Sequence, residues 1–186
     1  MILMLTSTML VVSNTSPLSN LAIIGRLELV REQLGAVVIP PAVQAELSRN
    51  PKLDARAALG TAMNEGWIRV MPLANPVPQD LLQALDLGEA EALSLAMQAK
   101  AALVLLDESA ARSRAAQLGI RSTGALGILR WARQTDRIPA LKMEVQRLRN
   151  EARFFINPAL EKALLISVGE WGRGTPFSEA AEGTRI

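Results

Sequence analysis

Short, wholly apolar runs separated by amphipathic stretches set the rhythm of this chain. Residues 9–12 (Met-Leu-Val-Val), 37–39 (Val-Val-Ile) and 103–106 (Leu-Val-Leu-Leu) are too short for helices and carry no polar alternation. They predict strands buried on both faces. Residues 67–70 alternate in part and predict a strand at a sheet edge, and residues 120–122 predict a short fifth strand. Helical spacing of apolar positions covers residues 17–25, 27–34, 41–49, 54–65, 88–99 and 109–118. Gly25, Gly35 and Gly66 act as stops, and Pro41 suits the first residue of a helix. Residues 73–78 form a proline-rich connection, and three more helices are expected at 124–135, 139–152 and 158–171.

Strands alternating with helices predict an α/β domain with a mainly parallel sheet. Neither an internal repeat nor a domain boundary interrupts residues 9–171, and the helices after residue 138 read as an appendage to the same domain. Residues 1–8 read as a ragged extension, with Met9 as a second candidate start, and residues 172–186 as a disordered tail. The N-terminal apolar stretch lacks a basic start and a cleavage site, and falls well short of the roughly 20 apolar residues that span a bilayer. A soluble, cytoplasmic protein without a membrane partner is expected.

Composition narrows the chemistry. The chain of 186 residues has no Cys and no His. That excludes disulfide frameworks, thiolate or imidazole metal sites, and Ser-His-Asp or Cys-His catalysis. Acid–base or metal chemistry must rest on carboxylates, and oxygen-only ligands favour Mg²⁺ or Mn²⁺. Asp80, Asp86, Glu89, Glu91, Asp107 and Glu108 face only Lys100 between residues 80 and 108, whereas the stretch from Arg112 to Arg153 is strongly basic. A carboxylate-rich centre beside a basic flank suits a metal site that handles a polyanion. Solvated helix faces carry such charges equally well.

In an open parallel sheet, ligands gather beyond the carboxyl ends of the strands. Asn14 and Asp107 both follow strongly apolar strands, so they should emerge on one edge. Glu46 and Glu91 lie on helices beside apolar neighbours, where an unpaired carboxylate is costly to bury. Each acid also has an ordinary reading: Glu46 as a partner of Arg49, Asp107 as the cap of the next helix. Glu89 reads as a first-turn carboxylate favoured by the helix dipole, or as an outer support. Thr123 and Gly124 open a helix whose start suits a phosphate or a plain cap by Thr123. No P-loop Gly-Lys-Ser/Thr run is present, which argues against a nucleotide-binding α/β domain.

Taken in order, Val12-Ser13-Asn14-Thr15-Ser16-Pro17-Leu18, Val38-Ile39-Pro40-Pro41-Ala42-Val43 with Glu46-Leu47, Leu87-Gly88-Glu89-Ala90-Glu91-Ala92-Leu93 and Leu105-Leu106-Asp107-Glu108 resemble the PIN-domain family. The likeness is greatest to a subfamily of predicted nucleic-acid-binding proteins related to toxins of toxin–antitoxin pairs, and Thr123-Gly124 with Gly127 and Leu129 fits it too. The resemblance implies a three-layer α/β/α fold and Mg²⁺- or Mn²⁺-dependent cleavage of single-stranded RNA. It implies a metal set of Asn14, Glu46, Glu91 and Asp107, with the last three catalytic and with Thr15, Ser16 and Glu89 in support. Arg112, Arg114, Arg121 and Thr123 would contact the nucleic acid. A homodimer and a small antitoxin partner are implied as well. Asn14 departs from the acidic pattern, and a neutral amide there weakens the charge a hard cation needs. The alternative is a non-catalytic PIN fold that binds RNA or an antitoxin.

Overall fold

Val11 and Val12 are neighbours in β1 (Val11–Ser13), yet their side chains enter separate hydrophobic cores. The same split recurs in β2 (Val37–Ile39), where Val37 and Ile39 join one core and Val38 the other. In β4 (Leu103–Leu105), Leu105 faces the first core while Val104 faces the second. Successive strand residues point to opposite faces, so an apolar run without alternation requires cover on both sides.

The computed structural model describes residues 9–172. Its sheet is all parallel in the order β3-β2-β1-β4-β5, with β3 spanning Ile68–Val70 and β5 spanning Ser122–Thr123. One face is covered by α1 (Thr15–Ile23), α2 (Glu28–Leu34), α4 (Leu53–Asn64), α8 (Ala125–Gln134), α9 (Leu141–Glu151) and α10 (Pro158–Ser167). The other carries α5 (Gln79–Ala84), α6 (Leu87–Gln98) and α7 (Ser109–Gln117). The short α3 (Pro41–Leu47) follows β2 and buries Val43 and Leu47 in the first core. The result is the expected three-layer α/β/α arrangement, with β3 at an edge. Among the described residues, no helix is long and apolar enough to cross a membrane.

Several boundaries differ from expectation. Helix α1 opens at Thr15, because Asn14 caps it; β5 lies at Ser122–Thr123, pairing with β4. Helix α5 follows the proline-rich connection directly, its first turn set by Pro78. Only Leu81 of its residues is buried, so it leaves no periodic signal. The extension at 1–8 lies outside the described residues, as does the expected tail beyond Gly172.

The strand order reverses at β1, which sits between β2 and β4. Carboxyl-end loops of β1 and β4 lead to opposite sides of the sheet and leave a crevice between them, the usual ligand position in such folds.

Candidate functional site

Ser13 pairs with Leu105, and the N–H of Asn14 donates to the Leu105 carbonyl at 3.0 Å. This ladder fixes Asn14 and Asp107 beside the crevice. Asn14 is buried, 2% exposed, and its Oδ1 accepts the Thr15 N–H at 2.6 Å. The side chain thus serves first as the cap of α1.

The Thr15 hydroxyl donates to Glu46 Oε2 on α3. Glu46 in turn leans over the start of α6: a Cβ placed on Gly88 would lie 2.9 and 3.1 Å from the two Glu46 carboxylate oxygens and 3.2 Å from Asn14 Oδ1. Asn14, Glu46 and the first turn of α6 therefore meet at the one residue there without a side chain.

Glu89 and Glu91 divide their duties. Ala42 N–H, in the first turn of α3, donates to Glu91 Oε2 at 2.9 Å, so Glu91 ties α6 to the start of α3. Glu89 is 5% exposed and forms a capping box with Asp86: Glu89 N–H donates to Asp86 Oδ1 at 2.8 Å and Asp86 N–H to Glu89 Oε2 at 3.3 Å. Its other oxygen, Oε1, is buried without a partner. Burial, then the Asp86 charge, with smaller contributions from Glu108 and Glu46, push the Glu89 carboxyl up to about 7 against a stabilising Asp86 N–H. The expectation gave Glu91 the leading place and Glu89 a supporting one. Glu89 also lies within the field of Glu46 and Glu108.

Across the crevice, Asp107 Oδ2 accepts from Asn20 Nδ2 at 2.8 Å, and Oδ1 accepts the Ala125 N–H at 2.8 Å. Asp107 thus caps α8, eighteen residues further on, while α7 starts without a side-chain cap. Thr123 does not cap α8. Gly124 permits the close approach, since a Cβ there would collide with Asp107 Oδ1 and with the Leu106 carbonyl, 2.7 Å away. Burial raises the Asp107 carboxyl to about 6, against the Ala125 N–H and the Asn20 amide; Glu108 adds to the rise and Arg112 opposes it. Glu108 is held at 2.8 Å by the Ser16 hydroxyl.

Two residues not singled out for the site stand in it: Asn20 and Glu108. Glu108 was legible as the immediate neighbour of Asp107, whereas nothing local marks Asn20. Of the basic residues expected to meet nucleic acid, Arg112 donates to the Asp107 carbonyl and lines the crevice. Arg114 is engaged with Asp80 and with Gln117 at 3.0 Å, away from the acids. Arg121 is exposed just before β5. Among the described residues, the acids do not close into a group of three or more able to hold a metal as they stand.

No curated protein and no solved structure matches the chain. A family model described as PIN domain matches residues 10–170. That span holds the five-stranded parallel sheet and both sides of the acid-lined crevice, so the chain belongs to the PIN-domain family.

Proposed function

We propose that the protein is a metal-dependent ribonuclease that cuts single-stranded RNA, in the manner of toxins of toxin–antitoxin pairs. The observation carrying this reading is the gathering of carboxylates at the β1/β4 crevice, where Thr15 holds Glu46, Ser16 holds Glu108, and Asn20 with the Ala125 N–H holds Asp107. Glu89 and Asp107 are both held protonation-prone near neutral pH, and Glu89 Oε1 is buried with no donor. A buried carboxylate oxygen without a partner is costly unless a cation arrives. The donor set is all oxygen, which fits Mg²⁺ or Mn²⁺. Asn14, Glu46, Glu91 and Asp107 are the residues that would hold the ion, with Glu89 beside them in support. Glu91 Oε2 accepts the Ala42 N–H, which leaves its Oε1 for a cation.

A divalent cation bound there lowers the pKa of water and offsets charge developing on a phosphodiester. The chain's own part is positioning. Thr15 orients Glu46, Asn20 and Ala125 N–H orient Asp107, and Ser16 orients Glu108. Gly88 leaves the space into which Glu46 and Asn14 converge. A cytoplasmic setting, a homodimer and a small antitoxin partner belong to the same proposal and rest on the family likeness.

A second reading has one observation in its favour. Asn14 Oδ1 and both Asp107 oxygens already accept hydrogen bonds, which suits a fold that binds RNA without cutting it. Incubating the purified protein with single-stranded RNA in Mn²⁺, Mg²⁺ or EDTA separates the two. Metal-dependent cleavage that is lost in Glu46→Gln supports the nuclease. Absence of cleavage in both wild type and Asn14→Asp supports the binding module.

A further inference from the structure

Beside the acids, a groove of about 620 Å³ runs from Ser16 and Asp107 to the loop joining α9 and α10. That is within the range of roughly 300–1,000 Å³ typical of sites for small organic groups. A smaller groove of about 280 Å³ continues from it toward Gly127 and Arg130. Leu126, Phe154 and Leu160 line both, so the two share an apolar floor.

Phe155 forms part of the wall and is 85% exposed, an unusual state for an aromatic ring in a chain with three Phe. Arg112 and Arg153 also line this groove, and Arg130 lines its continuation. Arg133 and Arg149 of the same region are in ion pairs with Glu170 and Glu161; Arg130 and Arg153 form none among the described residues. An apolar floor, one open aromatic face and arginines at the rim match a chain that alternates flat apolar rings with anionic linkers. Base–aromatic stacking and phosphate–arginine pairing are the two forces that hold single strands.

We propose that this groove seats an unstacked base of the RNA strand next to the acid cluster, with Phe155 as its stacking face and Arg153 and Arg112 on the flanking phosphates. The identity of the strand as RNA rests on the ribonuclease reading above, whereas the stacking role of Phe155 rests on the groove itself. Phe155 would then select flexible single strands over duplexes, whose bases are not free to enter.

The test is fluorescence anisotropy of labelled oligonucleotides in EDTA, where cleavage is off, with wild type, Phe155→Ala, Phe155→Leu and Arg153→Ala. Phe155→Ala and Phe155→Leu should each weaken binding of single-stranded RNA roughly tenfold, as expected for loss of one stacked base. A strand carrying abasic sites should bind wild type and Phe155→Ala equally. Arg153→Ala should weaken both strands and flatten the salt dependence. Equal binding of intact and abasic strands by wild type overturns the proposal and leaves the groove to a polypeptide. Unchanged binding by Phe155→Ala overturns it too, and tighter binding of single-stranded DNA than RNA overturns the choice of RNA. Phe155-dependent binding without any cleavage in Mn²⁺ sinks the nuclease reading and leaves the stacking role standing. Cleavage unaffected by Phe155→Ala, with unaffected binding, does the reverse.

Discussion

Gly88 and Glu46 are fitted to one another: a Cβ at Gly88 would come within 2.9 Å of Glu46 Oε1, in the space where Asn14 Oδ1 also points. The obstructing atoms are the ends of side chains, so Gly88→Ala should not break the fold. Alanine in a helix is favoured over glycine by about 0.5–1 kcal/mol, which offsets the local crowding. The carboxylate must swing away, however. Thermal melting of Gly88→Ala should match wild type closely, while Mn²⁺ affinity by calorimetry falls roughly tenfold or more, the scale seen when ligand-orienting contacts are lost. Unchanged Mn²⁺ binding would remove Glu46 from the metal set.

Asn14→Asp supplies the charge that the crevice lacks at β1. Aspartate still accepts the Thr15 N–H, so the cap of α1 survives. Without metal, the new charge adds to the repulsion around Glu46, and the variant should melt below wild type in EDTA at pH 7.5. With Mn²⁺, the order should reverse, because binding to the folded state alone raises its stability. Cleavage of single-stranded RNA should rise at the same time. A variant that melts lower under both conditions, and gains no activity, would show that Asn14 is only a cap.

Glu89 makes a prediction whose sign is opposite to that of an ion-paired carboxylate. Its folded pKa of about 7 lies above its ordinary 4.5, so the unfolded chain releases the proton first as pH rises. Stability therefore falls between these values and the full cost is present above them. Glu89→Gln keeps an acceptor for the Asp86 N–H and removes the charge. In EDTA at pH 8 it should be more stable than wild type by about 1–3 kcal/mol, from the size of the shift. The gap should close as pH drops through 7 and vanish below 4.5. Urea titrations at four pH values measure it; a variant less stable than wild type at pH 8 contradicts the assignment.

What the sequence revealed about this site divides by distance along the chain. The apolar runs at β1, β2 and β4 report burial on both faces directly, which is why the layers and the sheet edge carrying Asn14 and Asp107 were legible. Glu89 and Glu91 were not separable in the same way. Both lie among alanines on α6, and the tie that Glu91 makes depends on where the first turn of α3 presents its Ala42 N–H. That contact spans 49 residues and has no local mark. Asp107 capping α8 is likewise produced by the pairing of β4 with β5, not by any nearby signal. The Asp86/Glu89 capping box, by contrast, is a local pattern, an Asp three residues ahead of a Glu at a helix start.

Far from the crevice, Glu170 ties the C-terminal helices to the domain. Its Oε1 accepts the Leu141 N–H at 3.0 Å and Arg133 Nε at 2.7 Å, and its Oε2 accepts the Lys142 N–H at 2.8 Å. One carboxylate thus caps α9, which has no side-chain cap of its own, and joins it to α8. Burial pulls the carboxyl up, but the Lys142 and Leu141 N–H groups and the Arg133 guanidinium outweigh it and hold the pKa below the ordinary 4.5. A depressed pKa means stability that is fully present above 4.5 and is lost as pH falls through the folded value. Glu170→Ala should cost about 1–3 kcal/mol at pH 7, because it leaves two half-buried N–H donors without an acceptor and takes from Arg133 one of its two carboxylate partners. The penalty should shrink progressively below pH 4.5 as the wild-type carboxylate is itself protonated. Mn²⁺ affinity should be untouched, since Glu170 lies outside the acid cluster. Denaturant unfolding of both proteins from pH 7 to pH 3 checks the slope, and a penalty that stays constant across that range would mean that packing, not the charged cap, holds α9 in place.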